Sequence, residues 1–234
     1  NAMPPPKSPR LIDCDCHALT RMRPMKVLVL GMPRTGADSM FLALKILGYN
    51  PYHMKVAIES PKYDLKFWNE AYKAKFFGKG QAYGRAEFDK LVGEYDALTD
   101  IPPAVFVDEL IQSYPDAKVI LTIRDPDEWL ACMKSTVFAI VDWPGIRILK
   151  LLDPFVVGAL FTGIDLVAKG FFGDYGGSKS RQAYIDHYEY VRKAVPKNKL
   201  LEFHQPFEWK PLCDFLGTSL PNDSFPRMNN PEKF

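Results

Sequence analysis

The run Lys26–Leu30 (KVLVL), the turn Gly31-Met32-Pro33-Arg34-Thr35-Gly36 and the helix-periodic stretch behind it restrict the fold more than any other feature of the chain. A short, β-branched apolar run ending at glycine suits a strand buried on both faces, the environment of a parallel sheet. Apolar residues at Met40, Leu44 and Leu47, with Leu42 and Ile46, predict a helix over Ser39–Leu47 that Gly48 stops. The order strand, tight loop, helix then recurs. Further strands are predicted at Ala97–Thr99, Lys118–Ile123 and Lys199–Phe203. Helices are predicted at Tyr63–Phe77, Arg85–Val92, Pro103–Tyr114, Asp127–Ile140, Lys179–Ala194 and Glu208–Gly217. Such alternation implies an α/β fold, a central parallel sheet with helices on both faces.

A chain of 234 residues fits one domain with a substantial core. The domain is placed at residues 25–234, and residues 1–24 read as an extended tail whose Asn1-Ala2 looks like a tag remnant ahead of Met3. The stretch Leu151–Phe172 is strongly apolar, but Asp153, Pro154, Asp165 and Lys169 interrupt it. That argues against a spanning helix and for a buried or cleft-covering one. Peripheral membrane contact and a homodimer interface are the other expectations for this segment.

A net charge of +2 gives no basis for a nucleic-acid partner. Cys14, Cys16, Cys132 and Cys213 do not form a disulfide framework by spacing, so a reducing, cytoplasmic setting is expected. Cys14-Asp15-Cys16-His17 is too tightly spaced for a zinc site and has no second pair nearby, so no metal is assigned.

The segment Gly31–Ser39 has the physics of an anion site. Its glycines let backbone N–H groups converge, the helix start adds about half a positive charge, and Arg34 adds a full one with a forked donor. Thr35 and Ser39 supply hydroxyls, and Asp38 is carried in the first helical turn. Ala37 stands where a Walker A loop has its lysine, which disfavours a nucleotide kinase or hydrolase.

Pro33-Arg34-Thr35-Gly36 after an apolar strand resembles the loop of sulfotransferases that grips the 5′-phosphosulfate of PAPS (3′-phosphoadenosine 5′-phosphosulfate). Further stretches in order extend the resemblance: Leu47-Gly48-Tyr49, Tyr52-His53-Met54, Asp100-Ile101-Pro102, Tyr114–Lys118, Leu121–Pro126 with Trp129, Trp209–Cys213 and Phe225–Asn229. The chain is similar to the sulfotransferase-like P-loop family common in fungi and also found in bacteria and animals. The resemblance implies a P-loop-type α/β domain, PAPS as sulfonyl donor and adenosine 3′,5′-bisphosphate as its product. Pro33, Arg34, Thr35, Gly36, Ala37, Asp38 and Ser39 would hold the 5′ end, and Arg124 the 3′-phosphate. Ala37 and Cys132 replace the family's usual Thr and Ser, with Ser135 one turn beyond Cys132. Arg227 is a further phosphate candidate.

Sulfonyl transfer requires a base for the acceptor hydroxyl or amine, and cations for the developing charge. His53 is the first candidate base and Asp100 the second, with Asp38 a third; Arg34 is the catalytic cation. The aromatic residues between Phe138 and Phe172 suit a small hydrophobic acceptor from secondary metabolism. Two alternatives remain at this level: an enzyme of the same fold that eliminates, dehydrates or cyclises its substrate, and a non-catalytic interaction protein.

Overall fold

The computed structural model describes residues 10–15, 20–141 and 143–227. In chain order its regular elements begin with β1 (Val27–Val29), α1 (Ala37–Ile46), β2 (Pro51–Tyr52), α2 (Met54–Glu59), α3 (Asp64–Phe77), α4 (Arg85–Val92) and β3 (Ala97–Leu98). They continue with α5 (Val107–Ser113), β4 (Lys118–Ile123), α6 (Pro126–Met133), α7 (Ala139–Val141), α8 (Ile146–Leu152) and α9 (Val157–Val167). Last come α10 (Ser178–Ala194), β5 (Leu200–His204) and α11 (Trp209–Leu216).

The five strands form one parallel sheet in the order β2-β3-β1-β4-β5. The period of two in KVLVL divides the core. Val27 and Val29 join Met40, Leu44, Ile120 and Leu212 on one face. Leu28 and Leu30 join Trp68, Phe106, Leu121 and Trp129 on the other. β1 is therefore covered on both sides, as an uninterrupted apolar run requires.

Three sequence expectations change. The described part of residues 1–24 is not a free arm: Ile12 is buried, the Leu11 and Ile12 N–H groups donate to Glu70, and Arg21 pairs with Asp89. Cys14 takes part in a disulfide, while Cys132 and Cys213 are free thiols. Cys16 and His17, the rest of the cysteine-histidine cluster, lie outside the described residues. The helix expected over Asp127–Ile140 is interrupted by a π-helical stretch at Lys134–Phe138, and a second one, Ala168–Phe172, follows α9.

The apolar segment also divides. Trp143, Ile148, Leu151 and Leu152 are exposed, whereas Phe161, Val167 and Phe172 are buried. No helix among the described residues is long and apolar enough to cross a membrane.

α10 locks the sheet to the loop behind β1. His187 is buried, and its Nε2 bonds the Leu30 carbonyl at 2.7 Å. Burial pulls its pKa down to about 4, against the smaller opposing effect of that hydrogen bond. The unfolded chain thus binds the extra proton between pH 6.5 and 4, so the contribution of His187 is full above 6.5 and fades as pH falls. Chemical denaturation at pH 7 and at pH 4 is expected to show a loss from this residue of about 3 kcal/mol. His187→Gln should flatten that slope; an unchanged slope would reject the assignment.

Candidate active site

The candidate residues collect at the carboxyl ends of four adjacent strands, where open α/β sheets form their ligand crevice. The loop 31–36 follows β1, His53 follows β2, Asp100 lies two residues beyond β3, and Arg124 directly follows β4.

Two glycines make the loop what it is. At Gly31 a Cβ would fall 2.0 Å from Thr122 Oγ1 on β4, so only glycine allows that approach. At Gly36 the backbone turns at φ 111°, and a Cβ would sit 2.3 Å from the Phe207 ring. Gly36 opens α1 without any side-chain cap, so the first N–H groups of that helix stay available to an anion. Arg34 adopts a left-handed conformation, φ 67°.

The structure sorts the loop's side chains. Thr35 is fully buried; its hydroxyl donates to the Met32 carbonyl at 2.6 Å and meets Thr122 Oγ1 at 2.7 Å. That hydroxyl stiffens the loop, and the backbone of Thr35 is what it can offer an anion. Pro33 accepts the Trp129 indole N–H at 2.9 Å. Ala37 and Ser39 sit in the first turn of α1, with Ala37 buried.

Arg34, Arg124 and Cys132 are brought together. Arg34 Nε lies 3.4 Å from Cys132 Sγ, and Arg124 Nη1 lies 3.4 Å from the Arg34 carbonyl. Burial opposes ionisation of the Cys132 thiol, but Arg34 and then Arg124 outweigh it and lower its pKa. Arg124 also has a loose pair with exposed Glu128 at 3.4 Å, which leaves much of its charge for the crevice. Ser135 is exposed and bonds the Cys132 carbonyl. Arg227 is exposed on a different cleft, beside Phe207, Trp209 and Phe225, and no contact joins it to the arginine pair among the described residues.

Asp38, His53 and Asp100 also converge. His53 Nε2 lies 3.4 Å from Asp100 Oδ2 and 3.8 Å from Asp38 Oδ1. The ring caps α2, its Nδ1 accepting the Lys55 N–H at 3.1 Å. A neutral His53 that accepts at Nδ1 carries its proton on Nε2, and that N–H faces the carboxylates. Lys55 Nζ comes within 2.6 Å of Asp38 Oδ1, an ion-pair contact without hydrogen-bond alignment. Asp100 Oδ1 is buried and lacks a partner among the described residues. Burial raises the Asp100 pKa, with His53 and the Ile101 N–H opposing and Asp38 reinforcing.

An apolar cavity of about 130 Å³ adjoins Asp100 and Pro33. Trp68 and Tyr72 of α3, Met133 of α6, Phe138 and Phe172 of the π-helical stretches, and Ile164 of α9 line it. The two π-helical stretches deliver Phe138 and Phe172 to one wall, their rings 6.2 Å apart and edge to face.

Sequence reading missed the supports from α10. Tyr188 Oη accepts the Met32 N–H and donates to the Thr122 carbonyl, tying loop to β4. Tyr184 Oη exchanges hydrogen bonds with the backbone of Arg124, fixing the start of that residue. Both tyrosines are buried in the core, and their hydroxyls also end on the loop, on β4 and on Arg124. Tyr72 and Lys55 were likewise missed, since an aromatic on a helix face and a lysine in the first turn of a short helix carry no signal alone.

A family model described as a sulfotransferase domain matches residues 26–234. A curated protein of Aspergillus versicolor, Ava biosynthesis cluster protein M, is 39% identical over 212 residues. That alignment covers 87% of this chain and 80% of that protein.

Proposed function

Because the chain belongs to the sulfotransferase-domain family, we propose that it transfers a sulfonyl group from PAPS to the hydroxyl of a small apolar metabolite. The observation that carries this reading is the shared crevice: an uncapped helix start with two arginines on one side, and a carboxylate with an orphaned oxygen at an apolar cavity on the other. The biosynthesis-cluster name of the Aspergillus relative is in keeping with an acceptor from secondary metabolism.

The residues present fit the donor. Gly36 permits close backbone approach, the opening amides of α1 have no side-chain cap, and Arg34 has no carboxylate partner among the described residues. Arg34 and these amides would hold the 5′ end, and Arg124 beside Cys132 the 3′-phosphate. When bound, PAPS supplies an activated sulfonyl group on a phosphate that leaves as an anion.

The chain's own groups have separate tasks. Asp100 accepts the proton of the acceptor hydroxyl through its carboxylate, whose Oδ1 has no partner among the described residues. His53, with Nε2 3.4 Å from Asp100 Oδ2 and no hydrogen bond formed there among the described residues, faces the carboxylate from the other side and orients the base. Asp38, pinned by Lys55, keeps the imidazole facing Asp100. Arg34 neutralises charge as it gathers on the departing phosphate. The cavity walls exclude water and favour an apolar acceptor.

The test is transfer of labelled sulfur from PAPS to a panel of small alcohols and phenols. Labelled product that disappears without the acceptor supports the reading. No transfer to any member, together with no stabilisation by the bisphosphate, counts against it.

A further inference from the structure

Helix α8 carries its side chains the wrong way round for a helix that faces water. Such a helix turns its apolar stripe inward and its charges outward. In α8 the spacing i, i+3, i+4 puts Ile148, Leu151 and Leu152 on one face, and they are 63%, 83% and 76% exposed. Lys150 lies nearer the protein, its ammonium 5.6 Å from the Phe161 ring of α9. Of the helix, Ile146 alone is buried.

The apolar face continues past both ends of α8. Before it, Trp143 is 54% exposed, and its ring lies so close to the chain that a Cβ at Gly145 would meet it at 2.5 Å. After it, Phe155 is exposed, its ring 5.4 Å from that of Tyr63, also exposed, at the start of α3. Apolar side chains scattered singly over a surface need no explanation, but a continuous set marks an interaction site.

The charges at its rim select the partner. The Lys66 ammonium stands over the Phe155 ring at 3.9 Å, and Arg147 is exposed on α8. Neither these two nor Lys150 has an ion-pair partner among the described residues. The acids close by are engaged: Asp153 Oδ1 accepts the Phe155 and Val156 N–H groups, and Asp165 pairs with Lys169. Asp142 lies outside the described residues. An apolar face with aromatic rings and unpaired cations is complementary to a surface that is anionic outside and hydrocarbon within, which is a bilayer of acidic phospholipid. A second copy of the chain matches it less well, because a two-fold interface sets the same patch against itself and brings cations to cations.

We propose that the face formed by residues 140–155, with Tyr63 and Lys66, docks on an anionic phospholipid surface. Trp143, Leu151, Leu152 and Phe155 enter the headgroup region, while Lys66, Arg147 and Lys150 meet lipid phosphates. The helix lies on the bilayer and does not cross it, since its seven residues extend only about 10 Å. The docked segment runs between Phe138 and Leu160, both of which line the apolar cavity, so the lipid is tethered to elements that enclose that space. Nothing in the docking face uses the donor crevice, and it stands apart from the sulfotransfer reading.

The experiment is co-sedimentation of the full chain with vesicles of phosphatidylcholine, alone and mixed with phosphatidylserine. The wild type should bind the mixed vesicles roughly tenfold or more tightly than the neutral ones, since each surface cation contributes about fivefold. Trp143 is exposed whereas Trp68, Trp129 and Trp209 are buried, so a blue shift of tryptophan emission should accompany binding and vanish in Trp143→Phe. Changing Leu151→Gln and Leu152→Gln together should weaken vesicle binding roughly tenfold or more. Both side chains are exposed, so the melting temperature and bisphosphate affinity should not move. Leu220→Gln, at an exposed leucine outside the face, should leave vesicle binding unchanged. No vesicle binding, equal binding to the two compositions, or binding that survives the double change overturns the proposal. A dimer in solution that the double change dissociates, without vesicle binding, assigns the face to a second copy and also overturns it. Vesicle binding without any bisphosphate binding would keep the docking face and reject the sulfotransfer reading; the reverse would do the opposite.

Discussion

Replacing Asp100 with asparagine is expected to lower kcat by about 10²- to 10⁴-fold, the usual worth of a positioned base, and to leave bisphosphate affinity unchanged. The expectation follows from which atoms are free. His53 spends Nδ1 on the Lys55 N–H and turns Nε2–H toward two carboxylates, so it has no lone pair facing the cavity. Asp100 lines it, and its Oδ1 is unpartnered among the described residues.

The pH dependence carries a sign. Burial is the largest influence on Asp100 and raises its pKa, and transfer needs the ionised form. Activity should therefore rise with pH through a limb above the ordinary carboxylate value of about 3.9. His53 lowers the Asp100 pKa and Asp38 raises it. His53→Asn should thus move the acid limb up, and Asp38→Asn should move it down. If His53 were the base, His53→Asn would abolish transfer and Asp100→Asn would cost little.

Stability should run the other way from activity. A carboxyl group with a raised folded-state pKa contributes fully at low pH and loses that contribution as pH rises through the folded value. Asp100 therefore burdens the fold at neutral pH, and Asp100→Asn should melt at the same temperature or higher. A group kept at a cost to the fold is what a reactive site displays.

The second large effect concerns the cation of the loop. Arg34→Gln is expected to weaken adenosine 3′,5′-bisphosphate by roughly 10- to 150-fold, the worth of one charge-assisted hydrogen-bonded contact at about 1.5–3 kcal/mol. It should also act on Cys132 with no ligand present. Arg34 is the first of the groups that lower this thiol's pKa against burial. Removing it raises the pKa, so alkylation of Cys132 by iodoacetamide near neutral pH should slow. In the wild type, bound bisphosphate should shield the same thiol. Rapid, unshielded alkylation in both proteins would separate Cys132 and Arg34 from the anion site.

Much of this arrangement was legible in the sequence, for identifiable reasons. The runs at Lys26–Leu30 and Lys118–Ile123 are long and apolar because their strands are buried on both faces, and β4 matches its expected bounds. β2 was not legible: two residues, one of them Pro51, make no run and no alternation. Without β2, the helix α2 that His53 caps also passed unseen. Asp38, His53 and Asp100 could be singled out separately, each as a titratable group near an element end. Their convergence could not, because it depends on β2 and β3 lying side by side next to β1, and strand order is a long-range property. The proposal of Asp100 ahead of His53 as the base has the same origin: the Lys55 N–H engages Nδ1 of the ring, a contact that residue types do not reveal. Thr35 shows the converse limit. Its hydroxyl suited an anion by position, yet the approach of β4 at Gly31 brings Thr122 within reach and takes it.

The most direct test of the account is a calorimetric titration of the wild-type chain with adenosine 3′,5′-bisphosphate, with adenosine 5′-monophosphate alongside. The account predicts saturable one-to-one binding of the bisphosphate and clearly weaker binding of the monophosphate, which lacks the 3′-phosphate assigned to Arg124. No saturable binding, or equal binding of the two nucleotides, would contradict it.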